Sequence, residues 1–135
     1  MEARIDLGIE TLVIAYYSAF DNRGSRTPAF AELRAMFADG ARITRVTNDR
    51  ADSWAVDAFI TPRAAILTDG TLTDFHEWET SAKTVILENI ASRWSTYEKA
   101  GKLDGNDYPG NGHKFIQFYR NENRWFISSI LWEDL

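Results

Sequence analysis

Two histidines and a short acidic run around the first of them are the residues of this 135-residue chain best suited to move a proton. Imidazole changes charge near neutral pH unaided, and a carboxylate in an apolar setting is the next choice of general acid or base. In Phe75-His76-Glu77-Trp78-Glu79 the period is that of a strand, so Phe75, Glu77 and Glu79 project one way and His76 the other. At most one of those sets can reach a common cavity. The same geometry keeps His76 from converging with Glu77 and Glu79 on a metal ion, and no metal site is expected. The competing reading of His76 is an ordinary half-exposed strand histidine. His113 opens a strand after a glycine-rich stretch and reads as a surface residue. Asp57 is the remaining candidate proton carrier.

Arg93 sits among Ala91, Ser95 and Tyr97 on one side of a long strand pattern. A buried guanidinium needs a carboxylate or a ligand anion, so Arg93 either forms a salt bridge to Glu77, Glu79 or Asp57 or steadies negative charge on a ligand. Tyr17 is likewise a pocket hydroxyl or a core aromatic, and Trp54 and Trp94 read as wall or interface residues. Gly110-Asn111-Gly112 leads into a strand instead of a helix, so it lacks the helix N-terminus that cradles phosphate and reads as turn glycine.

Positioning these groups falls to two kinds of element. Ile5, Ile9, Leu12, Val13, Tyr16, Tyr17 and Phe20 make the stripe of an amphipathic helix over residues 5–20. Thr27-Pro28 suggests the cap and first residue of a second helix carrying Phe30, Leu33, Met36 and Phe37. A short strand is expected over Ala41–Val46, a loop over Thr47–Ser53, and one kinked helix or two short ones over Trp54–Leu67, where Pro62 interrupts. From Leu72 the period is two, with Lys83–Glu98 read as one long strand and Lys99–Gly112 as a mobile loop. His113–Arg120 and Arg124–Trp132 form a hairpin. With Glu122-Asn123 as its turn, Phe118 faces Ile127 and Ile116 faces Ser129. One side then collects Ile116, Phe118, Trp125, Ile127 and Leu131, and the other Phe115, Gln117, Tyr119, Phe126, Ser128, Ile130 and Trp132. The first should pack on helices, and the second is apolar enough to meet a partner subunit or a wet pocket. Helices first and long strands after point to one α+β domain over 1–135, with helices on one face of a curved antiparallel sheet.

Composition narrows the chemistry. Net charge of −5 and a pI near 5.0 argue against nucleic acid as a partner. Cysteine is absent, which removes disulfides, thiolate-bound metals and thiol nucleophiles. No cofactor motif survives, so none is expected. The N-terminus, Met1-Glu2-Ala3-Arg4-Ile5-Asp6, does not read as a leader, and no 18-residue apolar run occurs, so a cytoplasmic protein without membrane partners is expected.

The chain resembles the nuclear-transport-factor-2-like superfamily, in its SnoaL-like branch of uncharacterised small bacterial proteins. The resemblance lies in Tyr16-Tyr17-Ser18-Ala19-Phe20-Asp21, in Phe75–Glu79, in Ile90–Lys99, and in Gln117–Arg120 leading into Trp125–Asp134. It implies a curved sheet of six strands or fewer wrapped on helices into a cone, a pocket at the wide end, and a homodimer through the sheet. The superfamily hosts isomerases, dehydratases, cyclases, epoxide hydrolases and catalytically silent subunits, so fold alone does not give the reaction. Neither the Tyr–Asp pair of ketosteroid isomerase nor the Asp–Arg–Asp relay of limonene epoxide hydrolase can be matched here. The expectation is a small apolar organic molecule bound near Tyr17, Trp54, Phe59, Arg93 and Tyr97. Any chemistry would be cofactor-free isomerisation, dehydration or cyclisation, carried by His76, Asp57, Glu77 or Glu79. The alternative is a non-catalytic dimeric binding or scaffold domain with a filled cone.

Overall fold

Capping and patterning set the N-terminal half. In the computed structural model, which describes residues 5–135, helix α1 spans Leu7–Ser18. The Asp6 carboxylate accepts from the N–H groups of Gly8 and Ile9 at 2.9 and 3.2 Å, satisfying donors that no earlier turn can use. Ile9, Val13, Tyr16 and Tyr17 form its buried face, whereas Ile5 lies before the helix and is exposed. Helix α2 spans Phe30–Met36. It begins two residues later than Thr27-Pro28 suggested, because Ala29 spends its N–H on the Ala19 carbonyl at 2.9 Å and is itself the cap. Strand β1, Phe37–Thr47, turns at Asn48-Asp49 into β2, Arg50–Ala55, so the expected loop over 47–53 is a hairpin. It reads as a loop because β2 is an edge strand with little buried on either face. Helix α3, Val56–Thr68, runs unbroken through Pro62.

The second half is nearly all strand. β3 spans Leu72–Leu87 and β4 spans Ile90–Leu103; the single strand expected over Lys83–Glu98 is thus a hairpin turning at Glu88-Asn89. The expected loop over Lys99–Gly112 is the end of β4, a tight turn at Asp104-Gly105, the two-residue β5 (Asn106–Asp107) and the start of β6, Gly110–Asn121. Gly105 has φ 81°, which a side chain would oppose, and it closes that turn. β7 is Arg124–Asp134. The strand order is β2-β1-β7-β6-β4-β3, with β5 on β4. Every pairing is antiparallel except β1 with β7, so the curved sheet is mixed. The helices pack on its inner face.

Two irregularities decide which side chains enter the core. Phe118 pairs with Ile127 as the turn predicted, but Gln117 pairs with Ser129, leaving Ser128 as an extra residue. A single bulged residue flips every later side chain to the other face. Ile116 therefore faces Ile130, not Ser129, and Ile130 and Trp132 are buried while Leu131 is 46% exposed. On β3 the register slips between Glu79 and Ser81. Phe75, Glu77 and Glu79 are odd-numbered, yet beyond the slip Thr84 and Ile86 are the buried positions.

The link after α1 is held by polar side chains. Asn22 is buried, donates to the carbonyls of Leu67 and Leu72 at 2.9 and 2.8 Å, and accepts from the Phe75 N–H at 2.7 Å, tying the link to α3 and β3. Asp21 accepts from Arg23 at 2.8 Å and Arg26 at 2.7 Å. No described helix is long and apolar enough to cross a membrane. The Arg23 hydrogen bonds hold the Asp21 carboxyl down at about 2, although burial opposes them. A depressed native value stabilises the fold above the unfolded-state carboxylate range and is lost as pH falls from about 4 towards 2, by at most about 2 kcal/mol. Urea unfolding across that window should therefore show a shallower loss of stability for Asp21→Asn than for the unsubstituted protein, and equal slopes would refute the assignment.

Candidate functional site

A cavity of about 340 Å³ opens between α1, α3 and the concave face of the sheet, within the size range of small-molecule sites. Tyr16 and Phe20 come from α1, Phe59 and Arg63 from α3, Phe75 and Glu77 from β3, and Tyr97, Lys114, Trp132 and Asp134 from the three strands beside it. Each strand delivers its residue through plain alternation, except that Trp132 and Asp134 enter only because of the Ser128 bulge.

Lys114 dominates its electrostatics. The side chain is 5% exposed, and its ammonium donates to Glu77 Oε1 at 2.9 Å and to the Tyr16 hydroxyl at 3.1 Å. Around it stand the rings of Tyr97, Tyr16, Tyr17 and Trp132, with centroids 4.4 to 5.6 Å from Nζ. Burial is the largest single influence and penalises this charge, but the Glu77 carboxylate and the neighbouring Tyr16, Tyr17 and Tyr97 together outweigh it and hold the amine protonated, above the ordinary lysine range. Lys114 is thus a fixed cation and no nucleophile. Among the described residues its third proton has no hydrogen-bond partner. Burial pushes the hydroxyls of Tyr16, Tyr17 and Tyr97 up against the lowering influence of Lys114, so all three stay neutral donors.

Tyr97 donates its hydroxyl to Asp134, a very short contact, and Lys99 lies 3.5 Å from the same carboxylate. Tyr97, Gly112 and Asp134 lie side by side across β4, β6 and β7. A Cβ on Gly112 would collide with the Tyr97 hydroxyl and with the Glu133 carbonyl. Gly112 is therefore a strand residue that permits a close approach, not the turn glycine its spacing suggested.

A second polar cluster lies apart from the cavity. Arg93, 4% exposed, donates to both oxygens of Glu79 at 2.6 and 3.0 Å, to Thr84 at 2.9 Å and to Glu10 on α1. Burial works against its charge, and the bonds to Glu79 and Glu10 more than restore it. Ser95 donates to Glu79 at 2.5 Å, so the Tyr17 hydroxyl, 2.8 Å from Ser95, is the donor of that pair. Of the alternatives for Arg93, the intraprotein salt bridge is the one formed, through Glu79 and an unforeseen Glu10.

The predicted site residues thus separate. Glu77, Phe59 and Tyr97 line the cavity. Trp54 stands behind it, stacked on Trp132 at 6.0 Å. Tyr17, Glu79 and Arg93 are spent in the buried network. His76 does not line the cavity; it stacks on Trp78 at 4.5 Å, and burial with nearby Arg23 lowers its pKa. Asp57 is on the solvent side of α3, paired with Arg34 at 2.6 Å. Sequence reasoning missed Lys114, Tyr16, Arg63 and Asp134. For Lys114 the signal was available, since it lies two residues before Ile116 and four before Phe118 on the greasy face, where a lysine needs a reason.

No protein-family model matches the chain, and no curated protein is significantly similar to it. Solved structures are similar. A conserved protein of Planctomyces limnophilus superposes with a TM-score of 0.79 at 15% identity, over 96% of this chain and 94% of its own. A candidate scytalone dehydratase of Novosphingobium aromaticivorans gives 0.75 at 14% identity, over 96% and 83% of the two chains. A protein of unknown function from Nostoc punctiforme, described as having a cystatin-like fold, gives 0.72 at 15% identity, over 100% and 96%. At these identities the likeness is one of architecture: the chain has a cystatin-like α+β fold.

Proposed function

We propose that the cavity binds a small, largely apolar organic molecule and performs cofactor-free acid–base chemistry on it, of the isomerisation, dehydration or cyclisation type. The observation that carries this reading is the Lys114–Glu77 pair beside the Tyr16 hydroxyl on the cavity wall. Glu77 is the proton carrier. When it takes a proton from carbon next to a carbonyl, negative charge moves from the carboxylate to the substrate oxygen. The Lys114 ammonium and the Tyr16 hydroxyl then stabilise that oxygen, and the buried cation never stands without a counter-charge. The Tyr97–Asp134 pair serves as a further polar contact beside Lys114. His76, Asp57 and Glu79 have no part in this scheme.

A deuterated enolisable ketone such as 2-tetralone tests it. The protein should accelerate loss of α-deuterium measured by NMR, and Glu77→Gln should lower that rate by about a hundredfold or more. No acceleration, or an unchanged rate in the variant, would leave the binding or scaffold reading in its place. The pair also has a stability signature that needs no substrate. Glu77→Gln strands a buried ammonium and should cost about 3 kcal/mol in urea unfolding at neutral pH. Adding Lys114→Met should recover most of that loss, because no unpaired charge then remains.

We further propose a homodimer joined through the convex sheet face. Trp94, Phe115 and Leu131 lie in register across β4, β6 and β7 and are 44%, 53% and 46% exposed, an apolar row that a second copy would cover. The bulge gives this row Leu131 in place of the Ile130 and Trp132 expected from simple alternation. Light scattering should give twice the 15.4 kDa chain mass at micromolar concentration, falling to one chain in Phe115→Glu. A monomeric unsubstituted protein would end the idea.

A further inference from the structure

The cavity carries more positive charge than its own carboxylates neutralise. Its lining includes Arg45, Arg63, Lys99 and Lys114 against Glu77 and Asp134, an excess of two cations in a chain whose net charge is −5. Lys114 is matched by Glu77 at 2.9 Å and Lys99 by Asp134 at 3.5 Å, which leaves the two arginines. Arg45 reaches only Asp52, at 3.9 Å and outside the cavity lining, and its buried Nε has no hydrogen-bond partner among the described residues. Arg63 has no carboxylate within ion-pair distance among the described residues; the hydrogen bond found for it runs from Nη1 to the Phe59 carbonyl at 2.9 Å. Both guanidinium groups are steadied by rings. Arg63 lies 4.0 Å from the Phe59 centroid and 5.5 Å from that of Trp54, and Arg45 lies 5.6 Å from Trp54. Stacking engages the face of a guanidinium and leaves its N–H edge available, the edge that matches a carboxylate with two parallel hydrogen bonds.

We infer that the molecule this cavity takes is an organic carboxylate, an apolar ring system whose carboxyl group is held by Arg63 with Arg45 while its body extends over Phe59, Phe75 and Trp132 towards Glu77. This rests on the small-molecule reading above and narrows its ligand class. The arginines are positioning residues for the anionic end. The reacting end lies at Lys114 and Glu77, where a second anion would have to compete with the Glu77 carboxylate for the same ammonium.

The test is a ligand-observed NMR titration of the full-length protein with 2-naphthoate and its uncharged analogue 2-naphthamide. Naphthoate should bind roughly tenfold or more tightly than the amide, as expected for hydrogen bonds to a charged group, and the difference should shrink as salt is raised. Arg63→Met should remove most of the preference for the acid, and Arg63→Lys should restore part of it. Equal binding of acid and amide by the unsubstituted protein would overturn the carboxylate inference and leave the small-molecule reading standing. Failure of both ligands to bind at millimolar concentration would overturn the two together. The salt and acid-versus-amide comparisons need no variant, so they decide the matter even if Arg63→Met does not fold.

Discussion

A protonated lysine inside an aromatic core is the feature around which this molecule is arranged. Moving an ammonium out of water costs several kcal/mol, and a single carboxylate at hydrogen-bond distance, with ring faces around it, recovers that only when geometry is tight. Lys114 is inward-facing because Ile116 and Phe118 are, and Glu77 must then reach it from β3, two strands away across β4. β4 allows this by presenting Tyr97 at that level, so that a ring face lies 4.4 Å from the ammonium. Burial keeps the surrounding tyrosines neutral in spite of the ammonium, so they contribute dipoles and ring faces without a second negative charge.

Arg93 solves the same problem differently. It is surrounded by two carboxylates and a hydroxyl, all from the protein, and one of them, Glu10, arrives from α1. That cluster fastens the first helix to the sheet and leaves no donor unassigned for a ligand. Lys114 and the pair Arg45 and Arg63 are by contrast incompletely matched and face open space. Buried polarity here divides into a closed network that holds elements together and an open one that borders the cavity, and the second is where recognition and chemistry are to be sought.

The bulges are the mechanical counterpart. One extra residue at Ser128 sends Trp132 into the cavity wall and Leu131 to the convex face, altering the concave and convex surfaces in one step. The slip after Glu79 lets both Glu79 and Thr84 reach Arg93 from one strand. Neither leaves a glycine or proline mark in the sequence; Ser128-Ser129 and Thr80-Ser81 read as ordinary strand residues.

Local pattern was enough for the α+β class, the amphipathic first helix, the Glu122-Asn123 turn with Phe118 opposite Ile127, and the split of Glu77 from His76, because each depends on periodicity or turn chemistry within a few residues. The edge hairpin and the tight turns at Glu88-Asn89 and Asp104-Gly105 escaped it, since polar exposed strands and loops have the same composition. Only the tertiary structure decided which carboxylate meets which cation. Glu77 and Glu79 share a face and are indistinguishable in the sequence, yet one reaches Lys114 at the cavity and the other Arg93 beside it. That choice is made by sheet curvature and a one-residue register slip, and it depends on contacts between residues 14 to 83 positions apart.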